Sequence, residues 1–308
     1  MSMELNRREL KSRVRERIRE TQPPFWLITL VFLLLTTGVS TVTSLTDTAY
    51  ISLSPGPGDT MPLFLSLLIT LLATVLSFGY QLWALKVYRR QGPGYSTLID
   101  GFSMAGRIIL MKVYIWLCEM AWIILLTIPA AILSVQALYL GLSPFFCTLI
   151  LYLCMWLGTL FISYRYILAP FLLMDRPGAG PFAAVRESVA LMRGWKWQFF
   201  KLDLSFLIWH FLNWILSWGV ILIVDFPAFL ALIQMENLDP LTLALGLQLS
   251  GLATLLSTLI QVPISLWVTP YSTVSYAGFY QTRVQQPVPP VWGSYQGPYD
   301  GPYNGPDL

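Results

Sequence analysis

Glu119, Arg165, Asp203, His210 and Asn213 are polar side chains set inside apolar sequence, and they are where this chain could do chemistry. The clearest set lies in one block, where Asp203, Phe206, His210, Asn213 and Ser217 step by three, four, three and four residues. That spacing places them on one helix face. Glu119 follows Lys112 by seven residues, and Arg165 sits between Tyr164 and Tyr166. An ionisable group within a membrane helix is costly and normally faces the protein interior, so each is a functional candidate. Histidine titrates near neutral pH, and burial raises carboxylates toward the same range. Glu119, Asp203 and His210 could therefore pass protons or ions. The alternative is a set of interhelical hydrogen bonds, which average under about 1 kcal/mol each. Arg165 and Asp203 should both lie near the inner ends of their helices, where they are expected to pair.

Other chemistries find little to work with. There is no H-E-x-x-H, no G-x-x-x-x-G-K and no glycine-rich dinucleotide turn. Gly101–Gly106 misses the G-x-S-x-G nucleophile elbow by one residue and has no strand before it. His210 is the one histidine and falls within an apolar block, out of reach of a serine at the inner face. Cys118, Cys147 and Cys154 also fall within apolar blocks and form no C-x-x-C pair. Free cysteines of this kind pack as small hydrophobes. No catalysis, cofactor, metal or nucleic-acid partner is expected.

The elements that position these groups follow from composition. The chain is 56% hydrophobic and 11% charged, whereas soluble domains carry about 25% charged residues. Its apolar residues come in six blocks, at 25–45, 62–87, 108–133, 144–174, 199–224 and 241–268. A membrane span needs roughly 20 residues. The expected fold is an all-α integral membrane protein, with six transmembrane helices arranged as three hairpins. Its domain plan is a basic cytoplasmic arm (1–24), a membrane domain (25–283) and a tail (284–308).

Nineteen Lys and Arg residues supply the orientation. They fall in the arm (Arg7 to Arg19), in the second connection and its flanks (Lys86 to Lys112), in the fourth (Arg165 to Lys201), and at Arg283. The intervening connections carry Asp47, Asp59, Asp225, Glu236 and Asp239 with no Lys or Arg. Cationic loops stay in the cytoplasm, so both termini are expected there. No cleavable signal is evident, and the first span is expected to direct its own insertion.

Each hairpin has a basic amphipathic prelude. Leu10, Val14 and Ile18 recur every four residues in the arm, and Leu98, Phe102, Ala105 and Ile109 form a second stripe. Val185, Val189, Met192, Trp195 and Phe199 form a third. Cation-rich amphipathic helices with aromatic anchors lie in the membrane interface. Arg193, Trp195, Lys196, Trp197 and Lys201 are therefore expected at the lipid headgroups, as anchors or as readers of anionic lipid. Of the three, the arm is the better lipid candidate, although its seven cations are offset by Glu4, Glu9, Glu16 and Glu20, with Glu9 and Arg13 a favourable intrahelical pair.

Small residues recur at four-residue spacing in two blocks. Ser66, Thr70 and Thr74 form one set, and Gly246, Ser250, Thr254 and Thr258 the other, continued by Gln261 and Ser265. Such faces allow close helix approach, within the chain or between copies of it. Pro129 and Pro263 each remove a backbone donor within a span. The tail repeats Tyr295-Gln-Gly-Pro, Tyr299-Asp-Gly-Pro and Tyr303-Asn-Gly-Pro. Proline and glycine at that density build no core, so a disordered tail is expected. Tyr295, Tyr299 and Tyr303 could dock a cytoplasmic partner, or the tail could be merely solvating.

The stretch from Arg165 to Trp209 resembles the core signature of the domain-of-unknown-function 975 family of bacterial membrane proteins. The resemblance rests on Tyr166, Pro170, Ser188, Met192, Gly194, Lys196, Phe200, Leu202, Leu204, Ser205, Phe206 and Trp209. Pro270-Tyr271, Ala277 and Phe279-Tyr280 resemble its closing motif, while Trp122 and Pro129 resemble a third, with Ala130 where the family tends to have glycine. The resemblance implies a multi-span plasma-membrane protein and assigns no activity. Two readings stand: a non-enzymatic protein that organises or assists membrane components through lipids and a partner, or a small-solute or ion transporter using the polar stripe.

Overall fold

The computed structural model describes residues 7–45, 61–139, 144–226, 230 and 251–285. All regular structure among them is helical. A short amphipathic helix, α1 (Arg7–Arg19), precedes α2 (Phe25–Leu45), in which a wider π-turn covers Leu34–Gly38. Next come α3 (Met61–Tyr88), a short α4 (Ser96–Asp100) that tightens through Gly101–Met104, and α5 (Ala105–Tyr139). The second half comprises α6 (Pro144–Ser163), α7 (Ala169–Asp175), α8 (Pro181–Leu191), α9 (Lys196–Val224) and α10 (Gly251–Val284). Among the described residues, five stretches are long and apolar enough to cross a membrane: Phe25–Leu45, Phe64–Tyr88, Ser96–Pro129, Lys196–Val224 and Gly251–Val284.

Two spans depart from the expected bounds. The 144–174 stretch is divided: α6 stops at Ser163, tight turns cover 164–168, and α7 starts anew. Pro170 sits in the first turn of α7. In an unbroken helix its ring would collide with the carbonyl of Tyr166, four residues back. The last helix, expected to end at 268, runs on to Val284 despite prolines at 263 and 270. Residues 241–250 lie outside the described residues. Of the expected hairpins, α5 packs on α6 and α9 on α10, whereas α2 is shared between α3 and α10.

The buried core gathers at the end of the bundle where the cations are. It joins Leu10, Val14 and Ile18 of α1 to Phe78–Tyr88 of α3, Leu168–Leu173, Ala184–Met192, Phe199–Phe206 and Val274–Tyr280. The arm therefore does not lie in lipid by its apolar face. Val14 is fully buried against protein, because α10 and α3 offer that face a closer-packed partner than headgroups do. Farther along the spans, Phe64, Ile124, Ile128, Ile208 and Ile223 are exposed.

Two glycines set how closely α3 and α4 approach. A Cβ on Gly79 would lie 2.2 Å from the Leu98 carbonyl oxygen, and one on Gly101 would lie 2.9 Å from that of Val75. Gly79→Ala is therefore expected to cost about 1 to 3 kcal/mol of stability, because backbone on both sides must separate. Thermal unfolding in detergent measures it, and an unchanged midpoint would refute the close approach.

Candidate functional site

The polar groups at the cationic end of the bundle are organised around α10. Tyr276 and Tyr280 lie one helical turn apart and reach different aspartates. The Tyr276 hydroxyl donates to Asp203 of α9, and the Tyr164 hydroxyl donates to the other Asp203 oxygen at 2.7 Å. The Tyr280 hydroxyl donates to Asp175 at 2.7 Å. Asp175 also receives both arms of the Arg89 guanidinium, at 2.8 and 2.7 Å. Arg89 donates in turn to Gln281. The bidentate fork fixes orientation as well as charge. These bonds tie α3, α7, α9 and α10 together at one level.

The other side of the same α10 turn faces α3 and α1. Gly278 brings it close enough to α3 and α1 that a Cβ would meet Tyr88 and Leu10 at 2.5 and 2.8 Å. Arg283, 4% exposed, lies 4.2 Å from the Trp195 ring centre and donates to the Leu191 carbonyl at 3.0 Å. Leu191 ends α8, so this cation satisfies a carbonyl that has no intrahelical donor. Ser188 donates to the Arg165 carbonyl at 2.8 Å and holds α8 against the turn after α6.

The expected pairing of Arg165 with Asp203 is not formed. No ion pair joins them among the described residues; Asp203 is taken by the two tyrosines, and Arg165 lies 5.5 Å from the Trp122 ring centre on α5. A tyrosine hydroxyl satisfies a carboxylate without a second desolvated charge, whose removal from water costs several kcal/mol. The polar stripe of α9 also divides. Asp203 faces the core, whereas His210 is exposed on the bundle's outer surface. Asn213 makes one long bond to Ser265 at 3.4 Å, and its carbonyl oxygen is buried without a partner. Glu119 is occupied elsewhere, accepting from Ser163 across the α5–α6 contact at 2.9 Å. Glu119, Asp203 and His210 therefore line no common path.

The headgroup candidates separate in the same way. Trp197 is exposed, stacked on Phe200, with the Lys201 amine 5.7 Å from its centre. Arg193 is exposed and Lys196 half-buried. Trp195 instead packs under Arg283 and edge-on to Phe279 within protein. Tyr295, Tyr299 and Tyr303 lie outside the described residues.

The small-residue stripe of α10 meets α2. Thr258 lies 3.3 Å from Thr41 by its hydroxyl, and the two helices enclose a cleft of about 290 Å³ lined by leucines with Thr37, Thr41, Thr258, Gln261 and Ser265. Thr70 and Thr74 donate to their own helix's carbonyls.

An all-helical protein, with apolar helices suited to a membrane and a polar base bound by tyrosine–carboxylate bonds, is the class these features define. The chain belongs to the family described as Protein of unknown function (DUF975), which it matches over residues 1–286. No curated protein matches it, and neither does any solved structure.

Tyr276→Phe is expected to lower stability by about 1 to 2 kcal/mol, and its effect should be non-additive with Asp203→Asn. Arg165→Gln and Asp203→Asn should add within about 0.5 kcal/mol. Double-mutant cycles on thermal unfolding distinguish the two pairs; strong Arg165–Asp203 coupling would contradict the geometry.

Proposed function

We propose that this chain is a non-enzymatic integral membrane protein of the bacterial plasma membrane that organises or assists other membrane components. It crosses the bilayer six times, with Pro144–Ser163, 20 residues long, as the fourth crossing. Both termini are cytoplasmic, a reading supported by the placement of its nineteen Lys and Arg residues.

The observation that carries this reading is the uneven packing. The core gathers at the cationic end, while large side chains along the remaining helix lengths, Leu67, Ile124, Trp214 and Ile223 among them, point away from the bundle. Apolar faces of that extent suit lipid or the helices of another membrane protein. Exposed Arg193, Trp197 and the neighbouring Lys201 support contact with headgroups. The tail, through Tyr295, Tyr299 and Tyr303, serves as the docking strip for a cytoplasmic partner. Transport along α9 has less support, since Asp203 and His210 face different surroundings.

Deleting Gln285–Leu308 should remove a crosslinked partner in cells while leaving membrane insertion intact. Tags at both termini should resist a membrane-impermeant reagent in intact cells. An unchanged crosslinking profile rejects the docking role, and labelling of either terminus from outside rejects the topology.

A further inference from the structure

The inner base carries positive charge that nothing in the described chain neutralises. Arg7, Lys11 and Arg15 recur every four residues along α1, one helical turn apart. The acids of the same helix are engaged elsewhere. Glu9 pairs with Arg13, and Glu16 approaches Arg90 at 2.9 Å, with Glu20, just beyond the helix, at 3.8 Å from the same arginine. No carboxylate pairs with Arg7, Lys11 or Arg15 among the described residues. These cations instead lean on α9 and α10. Arg7 donates to the Lys201 carbonyl at 3.3 Å, and the Lys11 amine donates to Ser205 and stands 4.7 Å from the Phe206 ring centre. Lys11 and Arg15 both approach the Tyr271 ring, at 6.0 and 5.8 Å from its centre. The Tyr271 hydroxyl is itself buried without a hydrogen-bond partner.

We propose that Arg7, Lys11 and Arg15 of α1, with Tyr271 of α10, form a binding site for a phosphate group presented at the inner membrane face, such as the headgroup of an anionic lipid. A phosphate offers several acceptor oxygens and enough charge to serve three cations and a hydroxyl at once. A single carboxylate has fewer. Burial, followed by the nearby Arg15 and Arg7, holds the Lys11 amine below its ordinary pKa, as a positive field lacking its counter-charge must. The depth suits a headgroup: Ser205 and Phe206 lie about three turns into α9, and Tyr271 stands three residues past the expected end of the last apolar block at 268. The site falls on the arm rather than on the headgroup candidates between Arg193 and Lys201. It uses the arm's charged edge, while its apolar edge is consumed by the core. The location at a headgroup rests on the membrane reading above.

The test uses the full chain in nanodiscs of phosphatidylcholine, alone or with phosphatidylglycerol. Wild type should retain phosphatidylglycerol through a detergent wash, scored by mass spectrometry, and unfold at a higher temperature when it is present. Retention should fall about fivefold for each cation removed in Lys11→Met and Arg15→Gln, the Boltzmann equivalent of about 1 kcal/mol per basic residue. Tyr271→Phe should weaken retention with every charge in place, whereas Arg13→Gln should not. In phosphatidylcholine alone Lys11→Met loses only its contacts with Ser205 and Phe206, so the drop in unfolding temperature should be larger with phosphatidylglycerol than without it, which separates loss of binding from loss of fold. If inorganic phosphate added to neutral nanodiscs gives the same Lys11-dependent stabilisation, free phosphate is a source of the ligand; if phosphatidylglycerol alone does, the source is lipid. Equal retention and equal stabilisation in wild type and variants would overturn the site. Failure of the wild-type chain to stay with bilayers after an alkaline wash would instead overturn the membrane reading.

Discussion

A carboxylate at the cationic end of an apolar bundle must find donors there, and in this protein tyrosine hydroxyls provide them. Tyr276 and Tyr164 close on Asp203, and Tyr280 joins Arg89 on Asp175. In a low-dielectric setting such bonds strengthen, and an unmet partner is costly, so each constrains the helices it joins. Because two of the three tyrosines stand one turn apart on α10, that helix becomes the post to which α3, α7 and α9 are referred. Its small residue between them, Gly278, lets α1 and α3 come in against the same turn.

From that post the rest of the base follows. Phe199, Phe206, Phe279, Trp195 and Tyr271 pack around it in edge-to-face and tilted contacts, which add to the area they bury. Gly79 and Gly101 bring α3 and α4 together without side chains between them. The core thus forms at one end only. Along the remaining lengths the helices diverge enough to leave the cleft between α2 and α10 and many exposed apolar side chains. A well-packed base beneath loosely packed apolar helices is the feature on which the proposed organising role rests.

Charge in this molecule is divided into two populations. Some cations are spent internally: Arg89 on Asp175, Arg283 on Trp195 and the end of α8, and Arg90 on Glu16. Others have no counter-charge among the described residues, and α1 gathers three of them on one edge. The exposed ion pairs contribute little to stability individually. The unneutralised set matters more, because it raises the energy of the free protein and so favours an anion that relieves it.

Much of the fold was legible in the sequence because its signals are local. Apolar block length, the period of Leu10, Val14 and Ile18, and the clustering of cations can each be read within one segment, and the helices appear there. The break at 164–168 was also within reach, since Pro170 forbids a continuous helix. The site was less legible. Nothing local tells Asp203 to choose Tyr164 and Tyr276, respectively 39 and 73 residues away, over Arg165. The helical repeat placed His210 with Asp203 on an idealised face, but the packing of α9 on α10 left one half-buried against tyrosines and the other exposed. Sequence alone determined which segments are helical, apolar and cationic, because those properties depend on neighbours a few residues off. Which side chains meet was decided only by tertiary structure, because a hydrogen bond or close glycine contact is set within a few ångströms by helices distant along the chain.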